Sequence, residues 1–155
     1  MSLHPNLAEF EYYLLFVFLF PALVLDIKYK QIPGMLISVA IVVFIFLGVM
    51  QDKLPDYLVY INFFIGYAYI YVLFVVSKGK IGLGDAKISA LIALVLGLKL
   101  WIWALLFASM FGIIYGTIFI KLKLLNVDSK IPFAPFLSLG CYLSLFLIRF
   151  FSLFY

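Results

Sequence analysis

Read for polarity alone, the chain is a series of long apolar runs separated by short polar joints. Six runs stand out: Phe10–Tyr29, Ile32–Met50, Tyr57–Val76, Asp85–Leu98, Leu100–Ile120 and Phe133–Phe151. Most approach the roughly 20 residues needed to cross the hydrocarbon of a bilayer. Without water to satisfy their backbones there, such runs must be helices. Proline or glycine marks several joints: Ile32-Pro33-Gly34, Leu54-Pro55-Asp56 and Ile131-Pro132. The pattern predicts an all-α, polytopic membrane protein, a bundle of about six transmembrane helices forming one domain over residues 1–155.

The fourth run is short. Its 14 residues, Asp85 to Leu98, reach on the order of 21 Å, against about 30 Å of hydrocarbon. With Trp101 and Trp103 anchoring its outer end, Asp85 is expected in a recess below the inner surface. Small residues recur every fourth position at Ser89, Ala93 and Gly97, and again at Ala108, Gly112 and Gly116. Such stripes let membrane helices approach closely, so runs four and five are expected to form a tight core.

Composition agrees. Of 155 residues, 68% are hydrophobic and only 12% charged, with a mean hydropathy of +1.25; soluble domains are nearer half apolar and a quarter charged. Glu9 and Glu11 stand where a signal peptide would be basic, and no small-residue cleavage site follows, so a cleavable signal is not expected. The lone Cys141 has no disulfide partner within the chain, and the lone histidine is His4. That leaves little for thiol or histidine catalysis and no metal-ligand set.

Charge sets the orientation. Alternate joints hold eight lysines: Lys28, Lys30, Lys78, Lys80, Lys87, Lys121, Lys123 and Lys130. The opposite side holds Lys53, Lys99 and Arg149, with Glu9, Glu11, Asp52 and Asp56. The positive-inside rule places the lysine-rich side in the cytoplasm and both termini outside. A basic cytoplasmic face explains the net charge of +4 without a nucleic-acid partner.

Two acids resist a solvation account. Asp128 lies in a polar joint, but Asp26 and Asp85 adjoin apolar sequence at cytoplasmic helix ends. Asp85 could cap the start of its helix. Asp26 sits near a helix C-terminus, where the dipole disfavours it, and an ionisable group at membrane depth is a functional candidate. Paired, they fit an aspartic peptidase: one carboxylate takes a proton from water while the other, protonated, polarises the scissile carbonyl. Gly82 and Gly84 would give an extended substrate room beside Asp85.

The stretches "DIKYKQIPG" (Asp26–Gly34), "GLGDAK" (Gly82–Lys87) and "KIPFAPFLSLG" (Lys130–Gly140), in this order and spacing, resemble the type IV prepilin peptidase family, membrane aspartic peptidases of the GxGD type. The resemblance covers nearly the whole chain. It implies catalytic roles for Asp26 and Asp85; Gly82, Gly84 and Lys87 beside them are expected to form a substrate-binding loop. It implies removal of the basic leader from prepilin-like precursors at the cytoplasmic face of the cell membrane, with no cofactor. The third motif is read as mainly structural. With one cysteine and no added cytoplasmic region, the chain resembles the short, cleavage-only members.

Two other readings share these residues. A presenilin-like peptidase shares GxGD, but "FPAL" (Phe20–Leu23) here precedes that motif rather than following it. A cation or proton transporter subunit could use the same carboxylates, but no inverted repeat is visible, and Asn62 is the main polar group near the midplane.

Overall fold

The computed structural model describes residues 5–29, 34–50, 57–78, 81–124 and 133–152. The joints carrying Lys30, Pro33, Asp52, Lys53, Pro55, Asp56, Lys80, Asp128, Lys130 and Pro132 lie outside the described residues, as do His4 and the Glu9 side chain. The described chain is all-helical: α1 Pro5–Tyr29, α2 Gly34–Met50, α3 Tyr57–Val76, α4 Leu83–Lys121 and α5 Ala134–Ser152. Helices α1 (over Phe10–Tyr29), α3 and α4 are long and apolar enough to cross a membrane, and α2 and Ala134–Phe150 are shorter apolar helices. The protein is a membrane protein.

Five helices accommodate six runs because α4 is broken. Gly97 has φ 74° and ψ 166°, a region open to glycine and costly to any residue with a Cβ. Arms 83–96 and 98–121 meet at this residue. A continuous helix would hold residues 89 and 101 about 18 Å apart along its axis. Instead the Trp101 indole N–H donates to Ser89 Oγ at 2.9 Å, so the arms fold back on one another. This corrects the expected anchoring: Trp101 is buried, and only Trp103 is exposed. Trp101 also meets the Tyr69 ring edge-on at 5.7 Å.

The small-residue stripes pack helices, but with other partners than each other alone. Ser89 Oγ donates to the Gly66 carbonyl of α3 at 2.8 Å. A Cβ on Gly66 would stand 2.6 Å from Ala93 Cβ. A Cβ on Gly140 of α5 would collide with the Ala104 carbonyl and stand 2.9 Å from the Ala108 nitrogen. Arm 83–96 thus rests on α3, and arm 98–121 rests on α5. In lipid, where no hydrophobic drive pushes helices together, such backbone-to-backbone approach supplies dispersion instead.

Helices α1 and α2 are laid on this assembly more sparingly. α1 touches α2, α4 and α5; α2 touches α1 and α4 and, among the described residues, not α3. Leu15, Leu19, Ala22 and Asp26 form the buried stripe of α1. Phe16 stacks on Tyr142 of α5 at 3.8 Å between ring centroids. Glu11 is buried as well, beside a cavity of about 60 Å³ lined by Phe44, Gly48, Val59, Leu94 and Val95.

Candidate active site

Asp85 occupies the third position of α4, not the cap. Gly82 is the N-cap, with extended backbone at φ −79° and ψ 146°. The Gly82 N–H donates to Asp85 Oδ2 at 3.1 Å, and the Asp85 N–H donates to the Gly82 carbonyl at 3.1 Å. The first bond is the carboxylate's half of a capping box, reaching back to the cap; the second is a backbone bond of the first turn, since Gly82 has no side chain to return one. The capping account of Asp85 therefore holds for one oxygen. The other, Oδ1, is buried and has no hydrogen-bond partner among the described residues.

Asp26 ends the buried stripe of α1, one turn from its C-terminus. It is 5% exposed, and Asp85 is 4% exposed. Asp26 Oδ2 is likewise buried without a partner among the described residues. The two carboxylates, far apart in sequence, are close enough for Asp85 to feel the charge of Asp26. The backbone N–H of Ala134, at the start of α5, interacts with both.

That third contributor comes from the motif read as mainly structural. Helix N-termini carry N–H groups without intrahelical acceptors and the positive end of the dipole. Pro135, in the first turn of α5, was the available signal: proline is favoured at helix starts. The start of α5 thus faces two carboxylates, as such ends face anions generally.

The remaining candidates surround Asp85. Gly82 is exposed and Gly84 half-buried. Gly82 adopts a conformation open to any residue, so a backbone requirement does not explain it. Its bare edge lies at the rim beside Asp85 instead. Lys87 is half-buried, with Nζ 3.2 Å from where a Cβ on Gly34 would lie. It points toward the start of α2, on the side of α4 facing the α1–α2 pair.

A family model, the type IV leader peptidase family, matches residues 13–117, a stretch that includes both aspartates. Over 79 residues the chain is 32% identical to a Bacillus subtilis (strain 168) protein named prepilin leader peptidase/N-methyltransferase. The match takes in 51% of this chain and 32% of that relative, so it spans about a third of the relative's length. No solved structure matches the chain.

Proposed function

The chain belongs to the type IV leader peptidase family, and we propose that it is an aspartic endopeptidase cutting the basic leader from prepilin-like precursors, with Asp26 and Asp85 as its catalytic pair. One observation carries the assignment: two buried carboxylates from helices distant in sequence meet beside the start of α5, close enough for Asp85 to feel the charge of Asp26, each with a buried oxygen that no protein group bonds among the described residues. Neighbouring carboxylates resist double ionisation and share a proton. The ionised member draws a proton from water as that water attacks the scissile carbonyl. The protonated member hydrogen-bonds the carbonyl oxygen, where negative charge develops. The roles then reverse to protonate the leaving amine.

The recognition loop is Gly82, Gly84 and Lys87. Bare backbone at Gly82 and Gly84 admits an extended strand alongside Asp85. The site opens to the cytoplasm, with the chain acting as one domain in the cell membrane and both termini outside. The 14-residue arm 83–96 is too short to cross by itself, which supports a recessed Asp85. A maleimide scan of single cysteines at 80–90 tests this: position 85 labels more slowly than position 80, and equal rates refute the recess.

The decisive assay mixes a prepilin bearing its basic leader with the wild type, Asp26→Asn and Asp85→Asn, and sequences the product's N-terminus. Wild type cleaves at the leader junction, and either substitution lowers cleavage by at least on the order of a thousandfold. Asp85→Asn still has an oxygen to accept the Gly82 N–H, so it folds. Normal cleavage by both variants would refute the pair.

A further inference from the structure

Among the described residues, three buried side-chain polar atoms have no hydrogen-bond partner within the protein: Asp26 Oδ2, Asp85 Oδ1 and Ser138 Oγ. Two belong to the proposed catalytic pair. The third lies on α5, one turn past Ala134, and is 0% exposed. Other hydroxyls here follow the usual habit of bonding a carbonyl of their own helix: Ser38 to Gly34, Ser144 to Cys141 and Thr117 to Ile113. Ser138 does not, although the carbonyl four residues back belongs to Ala134.

Two contacts fix where Ser138 stands. α1 and α5 run antiparallel: Phe16 meets Tyr142 and Asp26 meets Ala134. Ser138 lies midway between the α5 partners, level with Pro21 and Ala22 on α1. Ala22 is fully buried and presents only a methyl at that level. On α5, Ser138 shares the face of Ala134, since residues four apart align. Helical side chains lean toward the N-terminus, so the hydroxyl leans toward the turn that faces both aspartates.

One turn of helix is about 5.4 Å. Two O–H···O bonds in series span about 5–6 Å. Buried polar groups in native proteins are satisfied, by ordered water where no protein atom serves. A single water between these three oxygens would give each its partner.

We propose that Ser138 is a positioning residue that holds a buried water against the free oxygens of Asp26 and Asp85. The inference rests on the peptidase reading for its consequence: this water lies on the membrane side of the dyad and keeps the carboxyl oxygens aimed at the attacking water. Ser138 itself touches no substrate.

The test pairs spectroscopy with kinetics on the full chain in detergent. Infrared carboxyl stretches of the dyad are assigned by their loss in Asp26→Asn and Asp85→Asn, then compared in wild type and Ser138→Ala. They move if Ser138 shares a water with the pair; unchanged bands overturn the proposal, even if no prepilin is ever cleaved. In the cleavage assay, Ser138→Ala lowers kcat on the order of 10- to 100-fold with KM unchanged. Ser138→Thr and Ser138→Val share a shape and differ in the hydroxyl, so Thr retains more kcat than Val. Equal kcat for Thr and Val, with wild type active, overturns the proposal while leaving the peptidase reading intact. An inactive wild type refutes the peptidase reading, and the infrared bands then decide the Ser138 proposal alone.

Discussion

The half of the molecule made of α3, α4 and α5 is built differently from the half made of α1 and α2. In the first, glycine lets helix backbones touch, and a buried Trp101–Ser89–Gly66 chain of hydrogen bonds ties both arms of α4 to α3. In the second, α2 is held by α1 and α4 alone among the described residues, and an aromatic stack joins α1 to α5. Asp85 belongs to the tight half and Asp26 to the loose one. The geometry of the pair is therefore set at the seam between them. Stability should depend on the first half, and the alignment of the two carboxylates on how the second is seated.

The severest test is Gly140→Leu. Its Cβ would enter the Ala104 backbone, which cannot yield as a side chain can, so the cost exceeds about 4 kcal/mol. Gel filtration in detergent should find no monodisperse folded protein. Gly66→Ala is next: its methyl would press on Ala93 and the Ser89 carbonyl, overpacking worth about 1–3 kcal/mol. A thermal melt should fall accordingly.

Trp101→Phe removes one buried donor and leaves the Ser89–Gly66 bond. It should cost about 1 kcal/mol and leave leader cleavage nearly unchanged. Phe16→Ala, on the loose side, should cost a similar modest amount in stability, about 0.5–1.5 kcal/mol from the lost stack beyond the buried area. Its effect on cleavage should be the larger one, on the order of tenfold, because the stack sets the register of Asp26 against Ala134. Loss of cleavage in simple proportion to loss of folded protein would erase the distinction between the halves.

Much of the fold was legible from polarity. The six apolar runs match α1, α2, α3, the two arms of α4 and α5 to within a few residues, apart from the N-terminal extension of α1 to Pro5. What could not be read was which face each helix buries. Helices α1 to α4 are apolar nearly all round, so no amphipathic stripe reports the neighbour. That is why Trp101 read as an interface anchor. Asp26 and Asp85 stood out because charge is rare beside apolar sequence. Ala134 and Ser138 did not, since one contributes only backbone and the other is an ordinary serine until its neighbours are known.

The break at Gly97 bears on how the chain enters a bilayer. Between Lys87 and Lys121 the sequence holds a single charge, Lys99, and the reversal itself occupies one residue. No hydrophilic loop has to be carried across. A lone lysine at mid-bilayer is worth about 2.5–3.5 kcal/mol on insertion scales, small beside the gain from two apolar arms. The arms can therefore partition together as a preformed hairpin, without Asp85 at the start of the first arm having to be drawn through the hydrocarbon.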